Sequence, residues 1–142
     1  MLKLINHFST ALRNYVSPSD TEIEIPAQVA KKLNTLSEGD HTYISLIGRN
    51  GRAEIVKYTH IKELKGGVIS VERDAGQTGA LNHPAGTCVT IDLNTVLLDE
   101  YIADTVAAKV DEKLEAFKTE VNVELAKMTK AINALKKQTS KR

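Results

Sequence analysis

Leu98 to Leu135 reads LDEYIADTVAAKVDEKLEAFKTEVNVELAKMTKAINAL, and this stretch decides the architecture. Its apolar residues fall at Leu98, Ile102, Val106, Val110, Leu114, Phe117, Val121, Leu125, Met128, Ile132 and Leu135, every step being three or four residues. That is the spacing of one face of an α-helix. Acids gather early (Asp99, Glu100, Asp104, Asp111, Glu112) and bases late (Lys127, Lys130, Lys136, Lys137), which suits the helix dipole. Asp99 reads as the N-cap or a first-turn acid. From Val96 onward there is no Gly and no Pro, and nothing interrupts the pattern before Thr139. A helix of about 40 residues is roughly 60 Å long.

Such a stripe outruns the domain that precedes it. Burying one large apolar side chain is worth about 1.5–3 kcal/mol, so leaving a row of them in water is a solubility liability. Other copies of the same helix relieve it. The expected interface is Val110, Leu114, Phe117, Val121, Leu125, Met128, Ile132 and Leu135. Heptad spacing holds from Leu114 to Val121 and again from Leu125, with a stutter between that locally unwinds a supercoil. Before Leu114 the steps are uniformly four, and an alternative seam through Ala103, Ala107 and Val110 takes over. The mixture of Leu, Val and Ile does not choose between two and three strands. The competing reading folds the helix back along its own domain or breaks it into a hairpin, but no turn residue supports a break.

Toward the N-terminus the pattern changes to short alternating runs. All 8 Gly and all 3 Pro lie before Val96, which puts a boundary near Leu93 to Asp99. Thr21 to Ile25 alternates and stops at Pro26. Thr42 to Ile47 and Ala53 to Thr59 flank Asn50-Gly51, which supplies the left-handed backbone of a tight hairpin. Val68 to Arg73 follows Gly66-Gly67, and Thr87 to Leu93 alternates with Val89, Ile91 and Leu93 on one side. Pro26 to Leu36 reads as a helix with Val29, Leu33 and Leu36 in phase. Met1 to Val16 suits either a helix or an extended arm. The predicted fold is therefore α+β: a small, mainly antiparallel β domain over residues 1–95, barrel or sandwich, then a long helix over 96–142 that forms a coiled-coil bundle and serves as the oligomerisation stalk.

Composition excludes several functions. The 19 Lys and Arg nearly cancel 18 Asp and Glu, leaving +1, so there is no field for general nucleic-acid binding. No apolar run reaches the length of a membrane span, and Met1 to Val16 lacks the pattern of a secretion signal. Cys88 stands alone, which rules out an internal disulfide, and it reads as a buried or half-buried thiol. Aromatic residues make up 4% and Trp is absent, which is thin for stacking sugars or bases.

The chemistry-bearing residues are scattered. His7, His41, His60 and His83 never fall at metal-ligand spacing, so no metal or other cofactor is expected. Asp40-His41 reads as a polar turn. Ala75-Gly-Gln-Thr-Gly79 lacks the Lys-Ser/Thr ending of a phosphate loop and reads as a tight exposed turn. The basic tail from Lys136 to Arg142 reads as a solubilising terminus, not a nucleic-acid contact.

One ordered set of residues does carry a signal. Glu54-Ile-Val-Lys-Tyr-Thr59, a Gly turn, Val68 to Arg73, then Thr78, Ala80, His83, Ala85-Gly86-Thr87 and Val89 resemble a module common in bacteriophage tail, fibre and other virion proteins. Ser19 to Ile25 and Leu36 to Asp40 resemble its early strand and Gly-Asp turn, so the likeness spans roughly Phe8 to Leu93. Where the module has Gly directly after the Arg and just before the Thr, this chain has Asp74 and Gln77. The structural loop motif is Arg73, Thr78, His83 and Gly86. Arg73 would hold the loop by bonding its carbonyls, and His83 would pin the return before Pro84. The other reading makes both solvent-facing turn residues.

The resemblance implies a non-enzymatic virion structural protein, a tail or fibre component that docks to other particle proteins. It places the protein in the virion, and in the host cytoplasm before assembly. It also implies a trimer, the commonest fibre symmetry in the family. The alternative from the same likeness is a head-decoration, head-fibre or tail-completion protein whose helix packs on a capsid or portal partner.

Overall fold

A computed structural model describes residues 1–140; Lys141 and Arg142, the end of the basic tail, lie outside the described residues. The chain divides into two units, 1–101 and 102–142.

In the first unit, β1 (Ser9–Ala11) and β2 (Glu22–Glu24) are followed by a single α-turn, α1 (Ala27–Ala30), which passes into a 3-10 turn at Lys31–Thr35. The strands β3 (His41–Ile47), β4 (Ala53–Thr59), β5 (Val68–Ser70) and β6 (Cys88–Thr90) complete it. All pairing between strands is antiparallel. A four-stranded sheet runs β1-β6-β3-β4, and β2 and β5 form a separate two-stranded ladder. The two sheets touch where Lys57 bridges Glu72 and where the Arg13 N–H bonds the Glu24 carbonyl. They do not close, so the architecture is two open antiparallel sheets.

The β3–β4 hairpin forms as its turn residues dictate. Gly51 takes φ +76°, its N–H bonds the Gly48 carbonyl, and the Gly48 N–H bonds the Arg52 carbonyl. A type I turn closed by a left-handed Gly gives this three-residue loop. The register then sets Ile44 opposite Val56 and Leu46 opposite Glu54. Ile44, Leu46, Val56, Tyr58 and Val89 join Ile23, Ile25, Leu33 and Ile69 in the main core. The opposite face of β3 and β4 carries Tyr43 and Ile55, which Val96 and Leu97 cover. Coverage on both faces explains why β3 is buried at nearly every position instead of at alternate ones.

The N-terminal segment is an extended arm. Phe8, Leu12 and Val16 are buried, with β1 paired to β6 and Val16 bridged to His83. Their spacing of four comes from an irregular strand path, not from a helix. In the β6 region, Val89 is buried but Leu93 is 77% exposed, so the expected shared face ends before Leu93.

The last helix, α2, spans Thr95–Thr139 without a break. Its cap is Asn94, whose Oδ1 accepts the Leu97 N–H at 3.0 Å. Asp99 lies beyond the first turn and is not the cap. At 1.5 Å per residue the helix is about 68 Å long.

Candidate functional site

Two features stand out, one in each unit. The first is the apolar stripe of α2. Val110, Leu114, Phe117, Val121, Leu125, Met128, Ile132 and Leu135 are all exposed, from 38% at Val121 to 62% at Phe117 and Leu135. Beyond Tyr101 no described residue of the helix is buried. The charged residues among them include the i,i+3 pairs Glu115–Lys118 and Glu124–Lys127 at 2.6 Å. Such exposed pairs add a few tenths of a kcal/mol each, about what a solvated helix face supplies. The stripe is apolar and continuous, and it stays exposed among the described residues.

The second feature is a buried ionic knot around Glu54, which is fully buried on the core-facing side of β4. Arg73 meets it in a bidentate fork, Nε to Oε1 and Nη2 to Oε2, both at 2.7 Å. Oε2 also accepts the Leu81 N–H at 2.9 Å and His83 Nε2 at 2.8 Å. Oε1 accepts the Asp74 N–H at 3.3 Å. Burial alone pushes this carboxyl up, but the bonds from Arg73, Leu81 and His83 outweigh it and hold Glu54 at about 2. An ionised carboxylate only accepts, so His83 Nε2 carries the proton in this bond. Arg73 spends its remaining donors on carbonyls: Nη1 on Ser17 at 2.6 Å and Asp20 at 2.8 Å, and Nη2 on Leu81 at 2.9 Å.

The loop that links these partners is wound tightly. Asp74 and Gln77, which stand where the resembling module carries Gly, both have left-handed backbone, φ +55° and +54°. The Asp74 carboxylate accepts the Gly79 N–H at 2.6 Å and stabilises the turn. Thr78 Oγ1 accepts the Ile55 N–H at 3.3 Å, tying the loop to β4. Gly86, at φ +85°, shapes the Pro84–Thr87 turn, and its N–H bonds the Leu12 carbonyl. So Arg73, Thr78 and His83 are brought to one place, Gly86 closes the turn beyond it, and Arg73 and His83 are buried rather than solvent-facing.

A smaller cluster holds the start of α2. Glu100 accepts from Tyr43 Oη and bonds His41 Nε2, each at 2.6 Å. Burial and the Glu100 carboxylate push Tyr43 up to about 12. Glu100 itself is lowered: burial raises it, but the Tyr43 and His41 bonds prevail. His41 is therefore a half-buried strand residue with a partner on the helix, not a free turn residue. Cys88 is exposed, contrary to expectation, because its side of β6 faces away from Val89 and the core.

The residues singled out by the sequence do not include Glu54 as a site residue. The signal was present: Glu54 alternates in phase with Val56 and Tyr58, which puts a carboxylate in a core-facing series. Glu100 gave no such sign. Among the described residues no group of three His, Cys, Asp or Glu is arranged to hold a metal ion, and no helix is long and apolar enough to cross a membrane. Comparison with protein-family models and with curated proteins finds no match to this chain.

Proposed function

We propose that the protein is a non-enzymatic structural component of a bacteriophage particle, of the tail or fibre, that self-associates through its C-terminal helix and docks to other virion proteins through its β domain. The observation that carries this is the unbroken helix with its uncovered stripe from Val110 to Leu135. A continuous apolar surface of that length calls for a partner. Association of the helices into a coiled-coil bundle, most simply a trimer, raises the local concentration of the β domains and lets them bind multivalently.

The knot at Glu54 supports a scaffold role for the β domain. Both oxygens of Glu54, the guanidinium donors of Arg73 and Nε2 of His83 all meet protein partners, which fixes a loop and occupies these groups. The residues that resemble a virion module are the ones that build this knot.

The test is to locate the chain in an electron-microscopy density of an intact particle that contains it. Density for the β domain at a tail or fibre position, with helices bundled beside it, is the expected result. A monomeric free chain that copurifies with a capsid or portal protein would overturn the tail or fibre reading.

A further inference from the structure

We infer that the surface of α2 is built to an eleven-residue period and that its occupant is further copies of the same helix, packed as a nearly straight bundle and not as a left-handed heptad coil. This rests on the self-association proposed above and specifies its interface. Val106, Val110 and Leu114 recur as Phe117, Val121 and Leu125, each eleven residues on. A third round gives Met128 and Ile132, closed by Leu135 one place early. What reads as heptads with one slip is therefore a single repeat.

Eleven residues in three turns is about 3.67 per turn, close to the 3.6 of an undistorted helix, and its drift is right-handed. A strict heptad needs 3.5 and a left-handed supercoil. At the eleven-residue period, about 98° per residue, the eight side chains from Val106 to Ile132 stay within a band roughly 65° wide, while Leu135 and Glu124 lie about 33° outside it and Ala131 about 65° outside it. They follow one side of the helix without requiring it to bend.

Three observations point to a second copy as the occupant. A partner must share the period to stay in contact along the whole stripe, and an identical helix does. The exposed stripe offers apolar area on the order of the ~800 Å² that each side of a stable interface contributes. Beyond Tyr101 the described helix carries six acidic and seven basic residues, so copies meet without a net-charge barrier. Phe117, Val121, Leu125 and Met128 also border a shallow hollow, with Glu120 and Glu124 at its rim, the kind of hole that a knob from a facing helix fills.

The two periods part company after Val121. A heptad continued from Leu114, Phe117 and Val121 would put Glu124 and Ala131 in the seam. The eleven-residue period puts Leu125 and Ile132 there. The test uses the full chain with Cys88→Ser and one new thiol at a time: Leu125→Cys, Ile132→Cys, Glu124→Cys or Ala131→Cys. All four sites are exposed in the single chain, so the β domain is undisturbed. Maleimide labelling is timed in the oligomer, with light scattering on each variant. The expected result is several-fold slower labelling at 125 and 132 than at 124 and 131, in whichever direction the helices run. Equal rates, or protection at 124 and 131, in an intact oligomer would overturn the eleven-residue seam while leaving self-association standing. If the Cys88→Ser parent is itself monomeric, self-association falls, and this inference with it.

Discussion

The two units invert the usual partition in opposite ways. The β domain keeps a charge inside: Glu54, fully buried in the core-facing row of β4. The helix keeps its hydrophobic residues outside, from Val110 to Leu135. The difference lies in where each anomaly is resolved. A buried charge has to find its donors within the same chain, and Arg73, His83 and two backbone N–H groups supply them. Exposed apolar surface is relieved only by burial, and on the self-association proposed above another copy of the helix supplies it. One region is satisfied within the chain; on that proposal the other is satisfied between chains.

The strongest way to break the first half of that comparison is Arg73→Met. It removes the fork on Glu54 and frees three loop carbonyls. Stranding a buried charge costs about 3–5 kcal/mol, so urea unfolding of the β domain should shift by that amount.

Titration gives a related and smaller effect. Glu54 is held at about 2 against an ordinary 4.5. Its ionised form is favoured in the folded state, so its contribution is complete above about 4.5 and is lost as the pH falls toward 2. The comparison is wild type against Glu54→Gln, by urea midpoints at falling pH. The gap between them should narrow on acidification; a constant gap would mean that the charge does not matter.

Gln77→Gly is milder. A non-Gly residue in left-handed backbone costs roughly 1–2 kcal/mol, partly offset by the entropy of Gly. A net gain of about 0.5–1 kcal/mol is expected, read as a rise in melting temperature. The smallest effect on the β domain belongs to the pair Val121→Asp with Leu125→Asp. Both sites are exposed in the single chain, so unfolding of the β domain should move by less than about 0.5 kcal/mol. The same variant should lose self-association altogether, which separates the two units cleanly.

Much of this was legible in sequence because the relevant physics is local. Asn50-Gly51 dictates the β3–β4 turn, and a Gly-free, Pro-free run with steps of three and four dictates the helix. Long-range pairing decides what local spacing leaves open or misplaces. Phe8, Leu12 and Val16 suit either a helix or an extended arm, and pairing with β6 and His83 makes them an irregular strand. Leu93 continues an alternation whose sheet has already ended at Thr90. The knot was legible in part: Arg73, Thr78 and His83 stood out through their order along the chain. Their common centre, Glu54, lies 19 to 29 residues away from Arg73 and His83, and only the fold brings them together.

The most direct measurement is multi-angle light scattering on the purified full chain over a range of micromolar concentrations. The expected mass is an integral multiple of the 15.6 kDa chain, falling to one chain in the Val121→Asp, Leu125→Asp variant. A wild-type chain that stays at 15.6 kDa at the highest concentration would contradict the account.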